Sequence, residues 1–356
     1  MKRKHMLRTI LAGTLALGLL AGAVGCGSDS SSSSDDTAAS DSADSTEDAS
    51  SDSGELTTVR VAVMTGNFDH YYTVIGMEEG IFEKYGLEVE VTEFAAGINT
   101  VDAIVTEQAD IGLLADYALV NRIGNTSEDT DLRVIARMAT SSADGNKLYV
   151  NPDVITELSD LEGQAIITLP GTVWDYWVGV IIEAAGLTED DVTILEVDSA
   201  QSALAVMSSG EGVAFCAGGV NGHKLEDAGM EAFCSLSEFG LSTDQYYIAD
   251  EDYIAENGDT INAFYEAVTE IETFIIDNQE ESADIIAEEL DIDADDVLLA
   301  LGATDPVLDF TEDTLEHLDE IQKWALEQGS FENSYNMKDF LSLDLLREYD
   351  PDSVEL

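Results

Sequence analysis

From residue 56 onward, short alternating apolar runs take turns with stretches of helical spacing. Thr58–Thr65 (TVRVAVMT), Leu87–Phe94 (LEVEVTEF), Asp110–Leu114 (DIGLL) and Leu132–Met138 (LRVIARM) read as strands. Between them, Asp69–Glu79, Asn99–Gln108 and Tyr117–Ile123 read as helices. The plan then recurs. Ala165–Leu169, Val192–Val197, Val213–Ala217 and Glu231–Leu236 read as strands. Val173–Ala185 (closed by Gly186), Ala200–Ser208 and Lys224–Ala228 read as helices. Lys147–Val150 reads as a connection outward from the first set, and Gln245–Ala249 as the return. After residue 258 the pattern predicts helices only. Thr260–Asn278 carries a 3.6-period stripe through Ala263, Phe264, Ala267, Val268, Ile271, Phe274 and Ile275. Gln279–Leu290, Asp293–Leu301 and Thr311–Gln328 follow, with acidic outer faces that a solvated helix explains. Repeated strand–helix units predict an α/β fold of two lobes. Each lobe would have about four parallel strands with helices on both faces.

The first 55 residues have a different pattern. A basic start (Lys2, Arg3, Lys4, Arg8) precedes an apolar stretch from Ile10 to about Val24, which matches a secretory signal. It ends in Ala23-Val24-Gly25-Cys26, which resembles a bacterial lipobox with Ala23 where Leu is preferred. By that resemblance Cys26 becomes the lipidated N-terminus; the alternative is an ordinary signal peptide that happens to contain a Cys. Residues 27–55 are Ser-rich and hold nine acidic and no basic residues, a self-repelling tether that cannot offset its ordering entropy. The expected scheme is a signal and lipobox over 1–26, a tether over 27–55, lobe one over 56–148 and 244–356, and lobe two over 149–243.

Charge narrows the function classes. The chain of 356 residues has 14 Lys and Arg against 74 Asp and Glu, a net of −60. Without the signal's four basic residues the net is −64. Nucleic-acid binding is excluded, because phosphate contacts need clustered Lys and Arg. Charge-driven binding to an anionic lipid surface is excluded as well. Cys216 and Cys234 lie in apolar runs and read as two unpaired core thiols rather than a bridge.

An ordered set of segments carries a resemblance. Gly76-Met-Glu-Glu-Gly-Ile-Phe-Glu-Lys-Tyr-Gly-Leu-Glu-Val-Glu90 resembles the A-x-x-x-G-x-F-x-x-x-G-L-x-V signature of the substrate-binding proteins of nitrate, sulfonate, taurine and thiamine-precursor ABC importers. Ala109–Gly112, Leu158–Gln164, Pro170-Gly171-Thr172, Ala185–Val192 and Ser202–Gly210 resemble later motifs of that family in the same order. Glu162 and Gln164 depart from the usual Lys, and an acidic pair is missing at Val213-Ala214. The resemblance implies a two-lobed, type II periplasmic-binding-protein-like clamp with C-terminal helices, crossed twice by the chain. It also implies an importer's permease and ATPase as partners.

Ligands of open α/β sheets bind beyond the carboxyl ends of the strands. That rule selects five loops here. They offer Asn67, Phe68, His70 and Tyr71; Gly97 and Asn99; Asp116 and Tyr117; Gly171, Thr172 and Trp174; and Asn221. The helix starts at Gly97 and Gly171 could hold an anionic or carbonyl oxygen. Trp174 could stack on a planar ring or a cation, whereas Trp177 reads as core. Asn67 and His70 resemble the N-x-x-H of the thiamine-precursor branch, and His70 could equally have a structural role. No Lys or Arg lies in these loops, so a neutral, zwitterionic or heteroaromatic solute is expected over nitrate.

No nucleophile elbow, zinc helix or phosphate loop is present, and Asp291–Asp296 lacks the spacing of a Ca²⁺ loop. A related branch makes the thiamine pyrimidine with a Cys-rich run, which this chain lacks. The expectation is therefore a monomeric binding protein without metal or cofactor. It would be lipid-anchored through Cys26 on the outer face of a bacterial cell membrane. It would deliver a small organic solute, pyrimidine-like or sulfonate-like. A surface sensor using the same clamp is the alternative.

Overall fold

The computed structural model describes residues 56–94, 97–126, 130–141 and 145–356. The signal, Cys26, the tether and Ala95-Ala96 lie outside them. In chain order the first half reads β1 (Thr57–Met64), α1 (Phe68–Glu78), α2 (Ile81–Lys84), β2 (Leu87–Phe94), α3 (Gly97–Val105), β3 (Ile111–Ala115), α4 (Asp116–Thr126) and β4 (Leu132–Ser141). Next come β5 (Asn146–Val150), β6 (Ala165–Thr168), α5 (Val173–Ala184), β7 (Thr193–Glu196), α6 (Ala200–Ser209), β8 (Ala214–Gly218), α7 (Gly219–Asp227) and β9 (Glu231–Ser235). The chain finishes with β10 (Asp244–Asp250), α8 (Glu251–Glu256), α9 (Gly258–Asp277), α10 (Gln279–Leu290), α11 (Ala294–Gly302), β11 (Thr304–Thr311), α12 (Glu312–Gln328), α13 (Asp344–Tyr349) and β12 (Val354–Glu355).

Two sheets result. The first has seven strands in the order β12-β11-β4-β10-β3-β1-β2, and the second five in the order β7-β6-β8-β5-β9. This is the expected two-lobed clamp, but the sheets are mixed rather than parallel. β10 runs antiparallel to β3 and β4, and β5 runs antiparallel to β8 and β9. The physical reason is how these strands arrive. Each enters its sheet from the other lobe, without the crossover helix that makes neighbours parallel.

Two expectations are corrected. Lys147–Val150 is not merely a connection outward; it is most of β5, inside the second sheet between β8 and β9. Leu148, Tyr149 and Val150 are all buried, so the strand is covered on both faces and shows no alternation. The region after residue 258 is not only helical. β11 (TDPVLDFT) pairs with β4, with a register shift between Pro306 and Asp309. Its Pro and two Asp hide the strand, and the shift leaves room for a residue with no N–H to give.

β5 also settles the thiols. Leu148 is the register partner of Cys216 on one side and of Cys234 on the other. Two strand spacings put the cysteines about 9.5 Å apart, beyond disulfide reach. Both are free, and burial pushes the Cys234 thiol up to about 11.

The crossings between lobes are tied together. Ser141 N–H donates to Thr243 O at 2.8 Å, and Thr243 N–H donates to Ser141 Oγ at 2.9 Å. On one flank α5 meets α4 and α12, where Tyr176 stacks on Tyr117 with centroids 6.2 Å apart and planes 2° apart. Trp324 packs edge-on to both rings. On the other flank Gly219 of α7 faces Ala300 of α11.

Candidate functional site

The loop after β1 is ordered by its own polar groups. Asn67 is half-buried, and its Nδ2 donates to Gln245 Oε1 on β10 at 3.3 Å. Phe68 packs on Tyr72, 4.8 Å between centroids, inside lobe one. Tyr71 is buried too. His70 is buried, and its Nδ1 accepts the Gly66 N–H at 3.2 Å. That bond puts the ring proton on Nε2, which lies 4.0 Å from Glu93 Oε1. Burial holds the His70 pKa below its ordinary value despite Glu93.

Asp69 lies beneath this loop. Its Oδ2 accepts the Met64 N–H at 2.9 Å, while its Oδ1 is buried without a partner. Burial pushes this carboxyl up to about 7, against the lowering effect of its backbone hydrogen bonds. Glu272, also with an unpartnered buried oxygen, is pushed up to about 8 by burial and by the charge of Asp309. Folded protein therefore holds these protons where unfolded chain has released them, so stability falls as pH rises from about 4 through 7–8. The expected result is a melting temperature that drops between pH 5 and pH 8. Asp69→Asn should flatten the part of that slope below pH 7 by an amount of order 4 kcal/mol at most. An unchanged slope in the variant would mean that Asp69 titrates in the ordinary range.

The other predicted loops divide. Gly97 starts α3, where an added Cβ would come within 3.2 Å of Leu114 and Met64; Asn99 is exposed on the same helix. Asp116 is fully buried at the start of α4. It accepts the N–H groups of Tyr117 at 2.6 Å and Asp244 at 3.0 Å, and its Oδ2 lies 3.0 Å from His317 Nε2. In lobe two, the Gly171 N–H donates to Asp175 Oδ2 at 2.5 Å, and Thr172 Oγ1 donates to Leu169 O at 2.6 Å. Trp174 lies flat on Phe215 at 6.2 Å, edge-on to Trp177, with its indole N–H given to Cys216 O at 2.7 Å. One ring face and the polar atom of Trp174 are thus engaged by lobe two itself. Asn221 is half-buried in the first turn of α7, with no side-chain hydrogen bond to another described residue.

The structure thus joins Asn67 and Asp116 to the first two residues of β10, and joins Tyr117 to lobe two. It leaves Phe68, Tyr71 and Trp174 packed within their own lobes. The strand-to-helix turns at α1 and α5 are filled by the protein's own carboxylates, Asp69 and Asp175. A solute anion there would compete with them.

Four contributors escaped the sequence reading. Tyr176, Trp324 and His317 gather around Tyr117 and Asp116. His317 and Trp324 are seven residues apart on α12, one helical face, so a spacing signal was present. The fourth, Lys147, lines a groove of about 340 Å³ between β5 and α7 of lobe two and α11. Tyr149, His223, Glu226, Leu298 and Leu299 also line it. Each arginine among the described residues is ion-paired, but Lys147 has no carboxylate partner among them. A depression of about 390 Å³ along α12 is lined by Glu312, Glu316, Asp319 and Glu320 together with Lys323 and Lys338, and touches only lobe one. Among the described residues no His, Cys, Asp and Glu cluster could hold a metal ion, and no helix is long and apolar enough to cross a membrane.

Comparison with known proteins bears on this arrangement. The model of the family described as NMT1/THI5 like matches residues 67–282. A provisionally named binding protein of Brucella abortus is 25% identical over 238 residues, 66% of this chain and 72% of that one. The bicarbonate-binding protein CmpA of Synechococcus elongatus is 27% identical over 157 residues, 36% of this chain and 34% of its own. The periplasmic aliphatic sulphonate binding protein SsuA of Escherichia coli superposes with a TM-score of 0.70 at 16% identity, covering 80% of this chain and 92% of that one.

Proposed function

The chain belongs to the NMT1/THI5-like family, and we propose that it is the extracytoplasmic solute-binding component of an ABC importer. The carrying observation is the paired double crossing at Ser141 and Thr243, which joins two sheet-bearing lobes through adjacent segments, the arrangement a pivot needs. A solute touching both lobes biases such a pivot toward closure, and the closed form is what a permease would recognise. Lipidation at Cys26 would hold a monomer at the outer face of the membrane.

The solute class we propose is a small organic molecule, heteroaromatic or sulfonate-bearing, rather than an inorganic anion. The turns at α1 and α5 already carry Asp69 and Asp175, and the net charge of −60 repels a free anion. Lys147 supports a single acidic group on that molecule, because it has no carboxylate partner among the described residues and lines a groove with walls from both lobes. The names of CmpA and SsuA point to acidic solutes in the wider group. Calorimetric titration of the full chain tests this reading. An alkanesulfonate should lose about tenfold in affinity on Lys147→Gln, about 1.4 kcal/mol. An aminopyrimidine should be unaffected. Tighter binding of nitrate or bicarbonate than of either organic class would overturn the proposal. Equal losses for both organic probes would remove Lys147 from charge recognition.

A further inference from the structure

One helix touches both the crossing and lobe two. His317, near the start of α12, places Nε2 3.0 Å from Asp116 Oδ2, with 17% of its side chain exposed. Two turns later on α12, Trp324 lies over Gly179 of α5, where an added Cβ would come within 2.2 Å of its ring. Trp324 also sits edge-on to Tyr176, with centroids 5.2 Å apart. Asp116 in turn holds the N–H of Asp244, the first residue of β10, on which the chain re-enters lobe one.

The surroundings of His317 are strongly acidic. Asp116 from α4, Asp244 from β10 and Glu320 from α12 all act on its ring. Around Asp244, Arg137 from β4 lies at 3.2 Å and the Tyr246 hydroxyl at 3.3 Å. Arg137 also grips Asp309 of β11 through two bonds of 2.8 and 2.9 Å. From lobe two, the Tyr176 hydroxyl feels the charges of Asp116 and Glu320. Arg137 pairs with Asp244 and Asp309, whereas the basic group on Asp116 is His317, so with His317 neutral Asp116 faces no cation at hydrogen-bond distance among the described residues. With His317 protonated, Asp116 gains a cation of its own and Asp244 lies between that cation and Arg137.

We infer that His317 is a positioning residue: through Asp116 it fixes the crossing strand, through α12 it carries the seat of Trp324 on lobe two, and its proton couples the two. While His317 is protonated, the lobes are held as they stand; as it deprotonates, the seat loosens. Burial opposes the charged ring, but the bond to Asp116 and the neighbouring carboxylates outweigh it, so its pKa stands above 6.5. The inference deepens the clamp reading, and it can be tested without any solute, so the two can fail separately.

The experiment is a nuclear magnetic resonance titration of the full chain from pH 5.5 to 8.5. It follows the His rings, the amides of Tyr117 and Asp244, and the Trp324 indole N–H. The His317 ring should titrate above the ordinary histidine range. The amide and indole signals should move with the same midpoint. His317→Gln keeps a donor but cannot titrate, and should abolish those shifts. Asp116→Asn should lower the His317 midpoint. Shifts that persist in His317→Gln, or a Trp324 signal that ignores the His317 midpoint, would overturn the inference. If His317→Gln does not fold, coincidence of the His317 and Trp324 midpoints in the native chain and in Asp116→Asn decides it.

Discussion

Arg137→Ala should destabilise the protein by about 3–5 kcal/mol, because it strands buried carboxylates. Arg137 has 17% of its side chain exposed, Asp244 has 5% and Asp309 has 24%. The guanidinium makes a bidentate pair with Asp309 and reaches Asp244, joining β4, β10 and β11. Removing it leaves Asp309 without its cation and Asp244 with the Tyr246 hydroxyl as a side-chain donor. The sign with pH is a further check. Protonation relieves stranded carboxylates, so the loss should be smaller at pH 4.5 than at pH 7.5. Urea unfolding of native chain and variant at both pH values measures this. Arg137→Lys, which keeps the charge but not the bidentate geometry, should recover part of the loss. Equal stability of Arg137→Ala and native chain at pH 7.5 would contradict the account of this cluster.

Gly218→Ala should cost about 3 kcal/mol and disturb solute binding together with folding. Gly218 ends β8 as the chain turns into α7. A Cβ there would sit 2.1 Å from the Gly145 carbonyl oxygen and 2.6 Å from Asn146 Oδ1. The first obstacle is backbone, and Asn146 is also the register partner of Gly218. The crossing can yield only by opening the β5–β8 ladder next to the inter-lobe groove. Gly302 makes a control for stability, because a Cβ there meets nothing within 4 Å and it ends a helix. Gly302→Ala should be neutral or slightly stabilising. Thermal unfolding of both variants tests the contrast, and equal melting temperatures would contradict it.

The alternation of Leu87–Phe94 and the stripe of Thr260–Asn278 placed β2 and α9 within two residues, because each buries one clear face. Lys224–Ala228 caught only the end of α7, which starts at Gly219. Two glycines and an Asn at its start look like loop, yet Gly218 is there because backbones approach closely and Gly219 because its φ is +47°. β5 and β11 were hidden for a different reason. Their place in a sheet comes from long-range pairing, not from local period. The loop rule found Asp116 and Tyr117, but not what meets them. His317, Trp324 and Tyr176 arrive from helices 59 to 208 residues further along the chain, and that convergence is a property of the fold. The aromatic residue given most weight in the sequence, Trp174, has its N–H bound to Cys216 O.

The most direct test of the clamp account is thermal unfolding of the full chain with and without two solute pools at fixed pH. One pool holds aminopyrimidines, thiamine and related heterocycles; the other holds taurine, alkanesulfonates, nitrate and bicarbonate. A solute at 100 times its dissociation constant adds about 2.7 kcal/mol to stability. The account predicts that one organic solute raises the melting temperature by several degrees, and that the rise grows with its concentration. No rise with any organic member, alongside a rise with nitrate or bicarbonate alone, would contradict the proposed organic solute. No rise with any member of either pool at millimolar concentration would contradict a solute-capturing role for solutes of these classes.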